Sequence, residues 1–119
     1  SAIFHFPTHS SAIIKTSEIK SILENNQLDG IFCTDDLTAI MTIQQIKKMN
    51  LEIPKDLKII GYDGTQFIQQ YYPELSTIIQ PIDEYANLLV ELLLKKINEP
   101  EVDIKNFELP IKLSKSETI

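Results

Sequence analysis

The sequence predicts an α/β fold in which a parallel sheet is flanked by helices. Short apolar and β-branched runs at residues 31–33, 57–60 and 77–79 alternate with longer amphipathic stretches. Alternation of this kind builds right-handed βαβ units, which lay successive strands parallel in one sheet with helices on its faces. A length of 119 residues with 43% apolar content fits one domain, or one lobe of a larger one.

The chain opens with the run Ala2-Ile3-Phe4-His5-Phe6, a predicted strand closed by Pro7, and the polar residues 8–11 suit a helix cap. Ile19, Ile22 and Leu23 follow helical spacing between Ser17 and Asn26, so a first helix lies there. Whether it starts as early as Ser11, taking in Ile13 and Ile14, the residues leave open. Asp29-Gly30 breaks the chain before a buried strand at 31–33 that ends in Asp35-Asp36. Leu37, Ile40, Met41, Ile43, Ile46 and Met49 form an apolar stripe wide enough for a helix packed on a sheet; Asn50 stops it and Ile53-Pro54 prevents restart.

The strand at 57–60 is predicted to close in a Gly61-Tyr62-Asp63-Gly64 loop, where the glycines permit positive φ. A less regular stretch runs through Tyr71-Tyr72-Pro73. The strand at 77–79 stops at Gln80-Pro81, a long amphipathic helix covers 82–97, polar residues 98–106 form a loop, and 107–113 form a last short strand.

A net charge of −6 argues against a nucleic-acid surface, because phosphate recognition needs clustered Lys and Arg. No apolar stretch reaches membrane-span length, so no membrane partner is expected, and residue 1 opens no leader peptide. Cys33, the single cysteine, has no internal disulfide partner and reads as a small buried hydrophobe, which fits a reducing compartment.

In an open parallel sheet, ligands bind in the crevice outside the carboxyl ends of the strands. Asp35, Asp36 and Asp63 sit at such ends. Carboxylates accept from several directions at once and so suit neighbouring sugar hydroxyls. Asp36 directly precedes a helix and reads as its cap; Asp35 and Asp63 read as ligand-binding. Paired carboxylates also admit a glycosidase reading, disfavoured because nothing in the sequence sets their separation. His5 and His9 flank Pro7, which keeps a helix from presenting both to a metal, and three scattered glycines form no phosphate loop. No catalytic residue, metal or cofactor is assigned.

The run Leu28-Asp29-Gly30-Ile31-Phe32-Cys33-Thr34-Asp35-Asp36-Leu37-Thr38-Ala39 resembles the "pDaifaaNDlmA" stretch of LacI/GalR regulators. Ile53-Pro54-Lys55-Asp56-Leu57-Lys58-Ile59-Ile60-Gly61-Tyr62-Asp63 is similar to their "vPedvsvvGfD", Pro73-Glu74-Leu75-Ser76-Thr77-Ile78-Ile79-Gln80-Pro81 to "PpLTTvrqp", and Leu109-Pro110 to their closing "LP" strand. The resemblance covers residues 28–113. It implies one lobe of a periplasmic-binding-protein-like type I fold: residues 1–119 as the C-terminal part of a sugar-binding and dimerisation domain, with the helix-turn-helix head and most of the N-terminal lobe outside it.

By position, the resemblance gives Asp35, Asp63 and Gln80 as ligand-binding residues. It implies a small sugar effector, operator DNA bound through the absent head, a cytoplasmic homodimer, and no enzymatic activity. Asp35 departs from the family's usual Asn, replacing an amide that donates and accepts by a group that only accepts, and it disfavours a phosphorylated sugar. Ile40, Gln70 and Tyr71 fall where these repressors form a dimer, although pattern alone reads Ile40 as core and Tyr71 as a loop aromatic. The helix at 82–98 is expected to pack with the missing lobe, leaving its leucines unpartnered here. An exported sugar-binding protein of the same fold is the alternative. The residues leave the sugar open among sucrose, another disaccharide and a pentose.

Overall fold

The computed structural model describes residue 3 and residues 12–119, with side chains from Lys15 onward. All of the strand expected at 2–6 except Ile3, the cap at 8–11 and both histidines lie outside the described residues. The elements are α1 (Ala12–Asn25), β1 (Gly30–Phe32), α2 (Asp36–Lys48), β2 (Lys58–Asp63), α3 (Gln66–Tyr71), β3 (Thr77–Ile79), α4 (Ile82–Asn98) and β4 (Lys112–Ser114). They form an α/β unit around one four-stranded sheet in the order β1-β2-β3-β4.

The first three strands run parallel, with Ile31 opposite Ile59 and Tyr62 opposite Ile78. The parallel sheet expected from the sequence is present in β1–β3, and one short edge strand joins it the other way: β4 is antiparallel to β3, with Ile78 opposite Leu113. It is also shorter than the strand expected at 107–113, because β3 offers only three residues to pair with, and Phe107 and Ile111 stay exposed.

Helix α2 packs on β2, and α1 packs on α2. The core joins Ile19 and Leu23 of α1, Ala39, Ile40 and Ile46 of α2, and Cys33, Leu57, Ile59, Ile68 and Leu75. Burial pushes the Cys33 thiol up to about 11, which keeps it an unreactive thiol that packs as an apolar side chain. Asn50 ends α2 as expected: its φ of 59° is left-handed, its amide reaches the Lys47 carbonyl, and the Leu51 amide reaches that of Ile46, a Schellman closure.

Two elements differ from expectation. Residues 61–63 continue β2 instead of looping, because each pairs with a residue of β3 and the ladder outweighs the local turn signal of Gly61. Helix α3 occupies the stretch read as irregular; Thr65 caps it and it buries only Ile68, too short a helix to leave a periodic trace.

The end of the chain is bonded between β2 and the segment entering β3. The Thr118 hydroxyl donates to the Ile59 carbonyl at 2.7 Å and accepts from the Ser76 amide at 2.8 Å, while the Ile59 amide donates to the Thr118 carbonyl. Thr118 is buried, so water cannot replace these bonds. Thr118→Val keeps the shape but orphans a buried amide and a carbonyl, and urea unfolding is expected to show a loss of about 1–3 kcal/mol.

Helix α4 buries no side chain, and Ile82, Leu89, Val90, Leu93, Leu94 and Ile97 along it are all exposed. A contiguous apolar stripe in water drives association. The isolated 119-residue chain is therefore expected to self-associate, and Leu89→Glu with Leu93→Glu to return it to a monomer in light scattering; a monomeric parent chain at high concentration would count against this.

Candidate effector site at the sheet edge

Because β1, β2 and β3 are parallel, their carboxyl ends share one edge of the sheet. Asp35 follows β1, Asp63 ends β2 and Gln80 follows β3, so the three residues read as ligand-binding stand at that edge. Two of them touch: Gln80 Nε2 donates to Asp63 Oδ1 at 2.7 Å, and the Gln80 amide donates to the Asp63 carbonyl at 3.2 Å. Among the described residues nothing donates to the other Asp63 oxygen, Oδ2. The pair thus keeps an unused acceptor on Asp63 and, on the Gln80 side-chain amide, a carbonyl acceptor and a second N–H donor, groups of the kind that bind sugar hydroxyls.

The backbone at this edge is constrained. Asp63 has φ of 114°, a conformation that side-chain-bearing residues seldom adopt, and Gly64 follows at 58°. A Cβ on Gly64 would lie 2.6 Å from Ile79 Cγ1 and 2.7 Å from Ile79 Cα, so the turn is pressed against β3. Gln69 Nε2 donates to the Gly64 carbonyl at 2.6 Å and braces it from α3.

The cap of α2 expected at Asp36 falls one residue earlier. Asp35, not Asp36, caps α2: its Oδ1 accepts from the Thr38 amide at 2.7 Å and its Oδ2 from the Thr38 hydroxyl at 2.8 Å. Each oxygen retains a lone pair, so the cap leaves acceptor capacity on Asp35. Asp36 lies inside the first turn of α2 and is only 3% exposed. Its carboxylate accepts from the Gly64 amide at 2.8 Å and from the Thr77 hydroxyl at 2.5 Å. A Cβ on Gly61 would collide with this carboxylate; Gly61 makes room for an acid, and it does not turn the chain with positive φ. Sequence reasoning missed Asp36, Thr77 and Gly61 as one group. The available signal was small or polar residues at two positions of otherwise apolar strands.

On the helices, Ile40 is buried and belongs to the core of this chain, where it also walls a groove with Ile43, Lys47, Tyr72 and Leu75. Gln70 and Tyr71 are exposed on α3, the Tyr71 ring 4.8 Å from that of Phe67 and tilted 35° to it. Among the described residues no cluster of His, Cys, Asp and Glu is placed to hold a metal ion, and no helix is long and apolar enough to cross a membrane.

Burial holds the Asp36 carboxyl above the ordinary aspartate range. Hydrogen bonds from Thr77 and Gly64 pull it down, and the charges of Asp63 and Asp35 add to the rise. A raised pKa in the folded chain means that folding favours the protonated acid. Its contribution to stability is complete below the unfolded-state pKa and is lost as pH rises through the folded value. Asn cannot ionise, yet it can accept from the Gly64 amide and donate to Thr77. The melting temperature of Asp36→Asn is expected to gain on that of the parent as pH rises from about 4 to about 7. A gap independent of pH would show that Asp36 titrates alike folded and unfolded.

Residues 4–119 match the periplasmic binding protein-like domain. The chain is 50% identical over 117 residues to the sucrose operon repressor of Streptococcus mutans, covering 98% of this chain and 36% of that protein. It is 47% identical over 111 residues to the sucrose operon repressor of Lactococcus lactis, covering 93% and 33%. It therefore spans about a third of the length of these curated relatives. Among solved structures, it is similar to a LacI family regulator of Enterococcus faecium with bound ribose (TM-score 0.76, 30% identity, 94% of this chain and 41% of that one). It is also similar to the lac repressor dimer bound to operator and an anti-inducer (TM-score 0.77, 25% identity, 91% and 38%). The chain belongs to the periplasmic-binding-protein-like domain family, in the form carried by LacI/GalR-type transcriptional regulators.

Proposed function

We propose that this chain is the effector-sensing and dimerisation segment of a sugar-responsive transcriptional repressor. The observation that carries the reading is the Asp63–Gln80 pair at the carboxyl edge of parallel strands, with hydrogen-bonding capacity left on both side chains. In this reading a small sugar seats its hydroxyls on Asp63 and Gln80, with Asp35 beside them, and a second lobe closes over it. Closure changes operator affinity through a DNA-binding head outside this chain; the charge of −6 offers DNA no surface here. The regulator acts in the cytoplasm as a homodimer. Gln70 and Tyr71 of α3 lie at the contact, with Ile40 supporting it from the core, and the α4 leucines pack on the other lobe.

Aspartates at 35, 36 and 63 make the edge acidic, which favours a neutral sugar over a phosphorylated one. The sucrose operon repressors among the relatives point to sucrose, or to one of its two constituent hexoses, as the effector.

The test is a gel shift of the full-length protein on its own upstream DNA, with sucrose, glucose, fructose, ribose and a phosphorylated hexose, paired with calorimetry. One neutral sugar is expected to alter the shift. Asp63→Asn, which tolerates positive φ but loses an acceptor, is expected to weaken its binding about tenfold or more. Sugar binding without any DNA binding would instead favour an exported binding protein. Absence of binding by every sugar would remove the reading.

A further inference from the structure

We propose that Asp36 is the positioning residue of the effector site: its buried carboxylate ties the start of α2 to the Asp63–Gly64 turn and to β3, and so sets where Asp63 and Gln80 face the ligand. The inference rests on the sugar-site reading and deepens it.

Three segments bring the candidate ligand residues to the edge, and Asp36 touches all of them. It adjoins Asp35 in the chain. It accepts from the amide of Gly64, the residue after Asp63, and from the hydroxyl of Thr77, three residues before Gln80. The Gly64 amide belongs to the peptide that joins Asp63 to Gly64. Holding that amide fixes the orientation of a peptide flanked by φ values of 114° and 58°. In that orientation the Asp63 side chain meets Gln80 at 2.7 Å.

A residue needed only to fill space would be apolar, because a buried carboxylate costs desolvation that an aliphatic side chain does not. Here room has been cleared for the acid: Gly61 lacks the Cβ that would collide with it. The position calls for an acceptor at Gly64 together with a partner for the Thr77 hydroxyl, which Asn also supplies and Ala does not.

The test uses the full-length protein, calorimetry with the sugar that alters the gel shift, and amide hydrogen exchange at Gly64. Asp36→Ala and Thr77→Val are each expected to raise the sugar Kd about tenfold, and Asp36→Asn and Thr77→Ser to stay within about threefold of the parent. Because Asp36 acts through Asp63 and Gln80, adding Asp36→Ala to the double variant Asp63→Asn, Gln80→Ala is expected to cost little beyond that double variant alone, whereas an independent contribution would multiply. Exchange at Gly64 is expected to accelerate in Asp36→Ala more than exchange across α2.

Unchanged Kd in folded Asp36→Ala or Thr77→Val, or Gly64 protection that survives Asp36→Ala, overturns the proposal. If Asp36→Ala does not fold, Thr77→Val and its Ser counterpart decide it. If the parent binds no sugar, the repressor reading falls, and Gly64 exchange alone then decides whether Asp36 holds the turn.

Discussion

Everything at the candidate site depends on the parallel pairing of β2 with both of its neighbours. Once Gly30 is opposite Lys58 and Gly61 opposite Thr77, the direction and register of three strands are set together. Their carboxyl ends then have no choice but to share an edge. A slip of one residue in β2 would turn Ile59 out of the core and present Tyr62 where Gly61 now clears space beside Asp36. The register is thus specified twice, by an apolar side chain on the core face and by a missing side chain next to a buried acid.

Much of this was legible in the sequence, for reasons that differ by element. Helix α2 announced itself because Ile40, Ile43 and Ile46 recur at helical spacing and Asn50 takes the left-handed conformation that ends a helix. The strand ends carrying Asp35, Asp63 and Gln80 were readable because each follows an apolar run broken by polar or turn-forming residues, and the family motifs coincide with them. Helix α3 was not readable, since a six-residue helix with one buried side chain has no period to detect. The antiparallel return of β4 was not readable either, because strand direction is decided by pairing across the sheet.

The aspartates mark the limit of local reasoning. From the chain alone, the residue next to the helix is the natural cap, yet Asp35 performs that role from one position earlier. Asp36 is drawn away by partners 28 and 41 residues distant. Only the folded sheet brings Gly64 and Thr77 close enough to claim it. Gly61 misleads for the same reason: its small size answers a steric demand from α2, although in sequence it looks like a turn former.

The last residues of the chain give the sheet a mechanical character. Thr118 is bonded to Ile59 of β2 on one side and to Ser76, just before β3, on the other, while Asp36 is bonded to Gly64, just after β2, and to Thr77 at the start of β3. The entry to β3 is thus cross-linked twice, to β2 through Thr118 and to the turn after β2 through Asp36, in addition to the pairing of the strands themselves.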